Sequence, residues 1–493
     1  MKKILTIILI SFVLTSCSEE WLNLNPYDSV SDELAIQTVA DAQTALNGVY
    51  MLARTADFYG RNTIVCGDAG TPDVVLKEPN AGRFVPEYNW QNVFPGAGFF
   101  TTIYTRGYRT IDAVNRLIKK LGEIPISDNE KDKASQILGE AYFIRALIHF
   151  EILKFYSHAY NYTTDGSHLG VVYMFEPTEE NDHPRVTAKE SFGFVITDAE
   201  QALASMKIDA PEKPFSAGKM AVNAFLARVY LYRACKSGTD DLLKAKEYAE
   251  KVITLGNYRI ATKEEYKFIE TSSGYDSQMW QSSEGYSSES ILVFPFNSTE
   301  TLGTTSIGSI YLDPGKGYGD LFPSNELVAF MDSESADVRN SIFYDYSDGK
   351  TYLRKFSGPP AISLPMNNVN LFRVSEMYLV ASEAAARIGG NDNETQAKEY
   401  LNLIRINRGL SSIDVSGQYL IDEIMLERRK ELCFEGHRLA DHKRLNMNIV
   451  RGHDSNNPGN SIYGINYPDY RFAYPIPRHE IDINKAILQN PGY

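Results

Sequence analysis

Glu427-Arg428-Arg429-Lys430-Glu431-Leu432, continuing into Phe434-Glu435-Gly436-His437-Arg438, sets acids and bases at helical steps inside Tyr419 to Leu445, a segment whose apolar residues keep the helical period. Glu427, Glu431, Arg428 and Arg438 stand at spacings that allow ion pairs, and Asp441 and Arg444 follow in phase. A partly buried arginine needs a carboxylate beside it. The pattern therefore predicts a charged seam that builds the fold, not a catalytic cluster.

Helical periodicity extends from this seam over Gln396 to Arg408 and Leu371 to Ile388. It recurs at Leu242 to Leu255, Lys219 to Cys235, Lys189 to Met206, Glu130 to Tyr156, Phe99 to Leu121 and Asp32 to Arg54. Small and large apolar residues alternate within these segments, as in Gly139, Ala141, Tyr142, Ala146 and Phe150, or Ala221, Ala224, Ala227 and Tyr230. Such alternation lets neighbouring helices approach closely. The expected fold is mostly α, a tetratricopeptide-like helical-repeat scaffold whose repeats are degenerate. Two long irregular regions interrupt it and are expected to face the ligand. Phe58 to Gly98 is punctuated by Gly60, Gly67, Gly70 and Gly82 and by Pro72, Pro79, Pro86 and Pro95, which reads as a long ordered loop. Glu264 to Val369 is rich in Gly, Ser, Tyr and Pro, broken by a strand-like Ile291 to Phe294 and a short helix near Glu326 to Met331.

The N-terminus carries Met1-Lys2-Lys3 and an apolar run from Ile4 to Leu14, which predicts a signal peptide over residues 1–16. The run is well short of the roughly 20 residues of a membrane span. Leu14-Thr15-Ser16-Cys17 resembles a bacterial lipobox, so Cys17 is the expected lipidation site and 17–30 the tether. Several acyl chains hold far better than one, since each buried methylene contributes about 0.8 kcal/mol.

With 43% hydrophobic and 23% charged residues in 493 positions the chain has globular composition. Without the signal, 47 basic residues face 63 acidic ones, which speaks against a nucleic-acid partner. If Cys17 is acylated, Cys66, Cys235 and Cys433 remain, an odd set with no zinc spacing, and they are read as core thiols.

Enzyme constellations are weak. His437 and His442 lie five apart with no metalloprotease glutamate, and read as exposed or paired histidines. Gly315-Lys316-Gly317-Tyr318-Gly319 lacks the strand-loop-helix context of a phosphate cradle and reads as a flexible surface turn. Asp345-Tyr346-Ser347-Asp348-Gly349 has neither the acid spacing nor the closing glutamate of a calcium loop, and reads as a turn. No cofactor or metal is expected.

Five stretches, in this order, resemble the SusD / RagB family over nearly the whole mature chain. They are Gly139 to Ala146 with Gly170 to Tyr173; Arg185-Val186-Thr187 opening a helix to Leu203; Ala224 to Tyr232; Leu371 to Leu379 with Ala381 to Ala384; and Glu427 to Arg438 with Tyr474-Pro475-Ile476-Pro477 and Gln489 to Tyr493. The resemblance implies an N-terminal helical region over 31–263 and a C-terminal region over 264–493 with variable loops at 264–369. It also implies a non-enzymatic nutrient-binding lipoprotein of the outer membrane, facing the exterior, that serves a SusC-like TonB-dependent transporter. Ser18-Glu19-Glu20 is similar to the surface-export signal of such lipoproteins. The implied ligand is an oligosaccharide, or a peptide as in the RagB branch; a surface glycoside hydrolase is the remaining alternative, because paired carboxylates cannot be recognised among so many acids.

Neutral sugars need rings to stack on and polar groups for their hydroxyls. The first irregular region offers Asp68, Asp73, Tyr88, Asn89 and Trp90, the second Tyr275, Gln278, Trp280, Tyr286 and Tyr318. Asp73, Tyr88, Asn89, Trp90, Tyr275, Trp280, Tyr286 and Tyr318 are the expected ligand contacts, Trp90 and Trp280 foremost.

Overall fold

The computed structural model describes residues 36–91, 98–178, 180, 182–234, 239–272, 274–358, 366–452 and 464–493. Cys17, Cys235 and the start of the predicted Asp32 to Arg54 helix lie outside them. Helix α1 (Val39–Ala53) begins at Thr38, whose hydroxyl accepts from Asp41 N while the Asp41 carboxylate accepts from Thr38 N, a capping box. There follow α2 (Asn62–Ala69), α3 (Phe99–Glu123), α4 (Lys131–Tyr156), α5 (Ala188–Ser205), α6 (Lys219–Arg233), α7 (Thr239–Leu255), α8 (Asn325–Asp332), α9 (Val374–Ile388), α10 (Asn391–Asn407), α11 (Gln418–Glu431) and α12 (Arg438–Arg444). The long helices pack in succession: α1 on α3, α3 on α4, and so on through α5, α6 and α7 to α9, which carries α10 and α11. Helix makes up 52% of the described residues, and this is the expected mostly α, tetratricopeptide-like scaffold. Close approach rests on small residues: a Cβ on Gly139 of α4 would lie 2.6 Å from Met206 Cγ, just past the end of α5.

Three expectations need correction. Leu371 to Arg373 is strand, not helix: of the two longest strands, β2 (Ser290–Phe294) pairs antiparallel with β6 (Val369–Arg373), setting Leu292 opposite Phe372, and α9 starts only after Arg373. The single helix Tyr419 to Leu445 is broken between α11 and α12, where Phe434 (φ 63°) and Gly436 (φ 79°) turn the chain. The break follows from packing: a Cβ on Gly67 of α2 would sit 2.5 Å from the Gly436 carbonyl oxygen, and Gly436 N donates to Asp68 Oδ2 at 2.8 Å. The first irregular region is therefore not one loop, for α2 is buried along its whole length against this turn. His437 and His442 are both buried; of the two alternatives, exposed or paired, His442 takes the second, its Nδ1 lying 3.0 Å from Asn448 O, and burial pushes its imidazole down to about 4.

The predicted charged seam exists, but its pairs join different elements instead of running along one helix. Arg339, Arg373, Arg405, Arg408, Lys355 and Lys430 meet Glu289, Glu334, Asp337, Glu427, Glu431 and Glu435, six cations against six carboxylates. Glu431 is central, 2.7 Å from Arg408, 3.0 Å from Arg373 and 3.3 Å from Arg339. Burial alone would raise its pKa, yet the three guanidiniums hold it well below the carboxylate range. Arg428 instead pairs with Asp441 at 2.9 Å, and Arg438 reaches Asp73 at 3.3 Å.

Removing one partner from a buried network strands the others. Glu431→Gln is expected to destabilise by about 3–5 kcal/mol in urea unfolding. Asp68 behaves oppositely: burial pushes its carboxyl up to about 8. The folded chain then keeps a proton that the unfolded chain releases near pH 4, so this group's contribution is fully favourable below that range and is lost as pH rises toward 8. Asp68→Asn should raise the melting temperature relative to the parent more at pH 8 than at pH 4.5, as measured by thermal unfolding at both.

Candidate functional site

The two irregular regions are stitched together by backbone. Strand β1 (Val74–Leu76) pairs antiparallel with β3 (Leu321–Pro323), with Val75 opposite Phe322. Beside them a hairpin of β4 (Phe343–Asp345) and β5 (Thr351–Leu353) turns at Asp348-Gly349, as the turn reading expected. Side chains two apart in extended chain point to one side, here Tyr344 in β4 and Tyr346 just after its end. Tyr344 and Tyr346 thus pack with Val75, Phe322 and Tyr352 in a small separate cluster.

A half-buried row of tyrosines and arginines grows from this joint. The Arg83 guanidinium lies 3.7 Å from the centre of the Tyr318 ring and pairs with Asp320, while Asn80 Nδ2 donates to Asp320 Oδ1 at 3.3 Å. Gly319 (φ 57°) seats the turn after Tyr318 against Tyr352; a Cβ there would lie 2.7 Å from Tyr352 Cε1, so the glycine-rich segment is held and not a loose turn. At the other end Arg354 lies 3.6 Å from the Tyr275 ring centre and 4.7 Å from that of Tyr344. Tyr344 donates its hydroxyl to Asp313 Oδ2 at 2.8 Å and Tyr352 to Asp348 Oδ2 at 2.8 Å; burial first, then these carboxylates, raise both phenol pKa values. Both phenols therefore stay protonated at neutral pH. The arrangement offers aromatic faces, fixed cations and amide groups, the chemistry of a polyol with apolar C–H faces.

The expected contacts separate into three sets. Tyr275 and Tyr318 belong to the row. Tyr286 stands elsewhere, edge-on to Phe215 at 5.8 Å, and Asn89 is half-buried beside Trp90. Asp73, Tyr88 and Trp90 are buried and occupied by the protein itself, which corrects the emphasis on Trp90, whereas Trp280 is half-buried with a cation on its ring. Asp73 is buried and accepts from Arg429 Nε at 2.9 Å, and Tyr88 and Trp90 flank the Arg451 guanidinium at 3.8 and 4.0 Å. Trp90 packs with Leu439, Ile449, Ile465 and Phe472, and Trp280 lies 4.4 Å from Lys355 Nζ, against the charged seam. Arg83, Tyr344, Tyr346 and Arg354 were missed, as was Tyr352, buried beneath them. The signal available was the alternation Tyr344-x-Tyr346 ahead of an Asp-Gly turn, a hairpin signature with both rings on one face.

Among the described residues no group of three or more His, Cys, Asp or Glu could hold a metal ion, and no helix is long and apolar enough to cross a membrane. Cys66 and Cys433 are buried free thiols, as expected.

The family model described as "SusD family" matches residues 217–493, more than half of the sequence. The chain belongs to the SusD family. A second model, "Starch-binding associating with outer membrane", matches residues 20–231. The SusD-like protein P2 of Formosa agariphila is 25% identical, with 99% of each chain covered, and the starch-binding protein SusD of Bacteroides thetaiotaomicron is 22% identical over 88% of this chain and 86% of its own length. The crystal structure of a SusD superfamily protein from Bacteroides vulgatus, 27% identical, superposes with a TM-score of 0.81 over 93% of this chain and all of that one.

In this SusD-family scaffold the interior tryptophan and the surface tyrosine should behave differently. Trp90→Ala removes a buried ring and is expected to destabilise by about 3–5 kcal/mol. Tyr346→Ala, at the half-buried edge of the hairpin, should leave the unfolding midpoint within about 1 kcal/mol of the parent, both read by chemical denaturation.

Proposed function

We propose that this protein is a lipid-anchored, surface-facing glycan-binding subunit of the outer membrane, which captures oligosaccharides and passes them to a SusC-like TonB-dependent transporter. The observation that carries the ligand class is the row of tyrosines and stacked arginines at the β1–β3 joint, where Tyr318, Arg83, Asn80 and Tyr346 combine ring faces with hydroxyl-binding groups. Membership of the SusD family and the starch-binding name of one relative support the same class. Binding needs no catalytic step: Asp320 is engaged by Arg83 and Asn80, and Asp313 by Tyr344. The anchor is the thioether-linked lipid on Cys17, outside the described residues.

The test is retention of the chain from Ser18 onward on a panel of immobilised polysaccharides and peptides, with products assayed alongside. Retention on one glycan class without released sugar is expected, and Tyr318→Ala combined with Tyr346→Ala should abolish it while leaving the melting temperature unchanged. Retention on peptides alone would replace the ligand class, and released sugar would overturn the binding-only role. Cys17→Ala in the full-length chain should release the protein from membranes; continued membrane association after washing without detergent would refute the anchor.

A further inference from the structure

A second cleft lies away from the tyrosine row, between α1, α4, the segment 207–216 and the residues that follow β2. It has a volume of about 650 Å³, within the range of roughly 300–1,000 Å³ usual for small-molecule sites. Helix α1 lines it with Gln43, Asn47, Met51 and Arg54, which recur at helical steps, and α4 faces them with Gln136 and Glu140.

The inner wall is rigid. Tyr50 donates its hydroxyl to Glu140 Oε2 at 2.7 Å and accepts from Ala217 N at 2.9 Å. Gln136 Nε2 donates to Glu140 Oε1 at 2.9 Å and to Ala217 O at 3.1 Å, while its Oε1 accepts from Lys207 N at 2.9 Å and Ile208 N at 3.1 Å. The mouth is apolar where it meets water: Met51 is 49% and Ile208 44% exposed, an arrangement a soluble surface tolerates at a recognition site. The Phe215 ring adds an aromatic wall, braced from behind by Tyr286 at 5.8 Å, which gives that sequence-predicted aromatic a place.

Charge at the rim cancels. Lys207 pairs with Asp132 at 3.5 Å and Arg54 with Glu300 at 2.8 Å. A cleft with no net field does not select an ion. Apolar faces, an aromatic wall and the side-chain amides of Gln43 and Asn47, at 3.3 Å from each other, match a neutral molecule with C–H faces and hydroxyls. We infer that this cleft is a second binding site, for a short neutral saccharide. The ligand class rests on the glycan reading given above, whereas the cleft itself does not.

The probes are maltotriose, laminaritriose, xylotriose and mannotriose, each titrated into the chain from Ser18 onward and followed by hydrogen–deuterium exchange. At least one should slow exchange over 207–217 by threefold or more, saturably, in the parent and in Tyr318→Ala alike. Asn47→Trp, from an exposed position of α1, fills the cleft and should abolish that protection, and Met51→Ala serves as the second variant should Asn47→Trp misfold, with at least a threefold weaker half-saturation. No protection over 207–217 with any of the four sugars overturns the inference, as does protection that persists in Asn47→Trp or disappears in Tyr318→Ala. Failure of the tyrosine row shows separately, as absent protection over 77–83 and 318–320, and leaves the outcome at 207–217 to decide the cleft.

Discussion

Glu431 holds together parts of the chain that sequence order keeps far apart. Its two carboxylate oxygens draw Arg339 from the second irregular region, Arg373 from the end of β6 and Arg408 from the end of α10 to one point, and Glu289 closes the set from the entrance of β2. Charges fully removed from water are favourable only when every one of them is matched. Six against six satisfies that condition, and the result constrains geometry more than a hydrophobic contact of the same size would, since each guanidinium fork accepts few orientations. The helices supply the bulk of the core, whereas this knot sets where the irregular regions begin.

Fixing those regions matters because they are built from very short strands. β1, β3, β4 and β5 have three residues each, too few to stand alone, and each is held by its partner and by contact with the helical frame. The turn between α11 and α12 contributes directly: it presses on α2, and α2 leads into β1, so a glycine contact in the interior determines where Arg83 and Tyr318 meet outside. Interior and rim are thus one mechanical path, from Gly436 through Gly67 to the β1–β3 joint.

The helical frame was legible because its signals are local. The periodicity from Lys189 places α5 to within a residue of its start, where Thr187 caps it, and the small residues of α4 lie where α5 comes close. What misled was equally specific. Leu371 to Arg373 carries helix-compatible residues, but pairing with β2 overrides propensity. Trp90 sat in glycine-rich surroundings and looked like a surface ring, yet it is buried and the interior arginine Arg451 takes up its face. A long-range cation on a ring leaves no trace in local sequence. The tyrosines that do reach the surface were hidden for the opposite reason: Tyr344 sits in a three-residue strand and Tyr346 just past its end, so their alternation spans too few residues to stand out without the Asp-Gly turn that follows.

The β4–β5 hairpin meets the frame through side chains at its base, and its tip around Ser347 to Gly349 is exposed. A tip of that kind can lengthen, shorten or change composition without disturbing the charged knot or the helix succession. The surface chemistry of the tip and the foldability of the frame are then separable traits, so the tip can be exchanged or grafted as a cassette on an inherited scaffold.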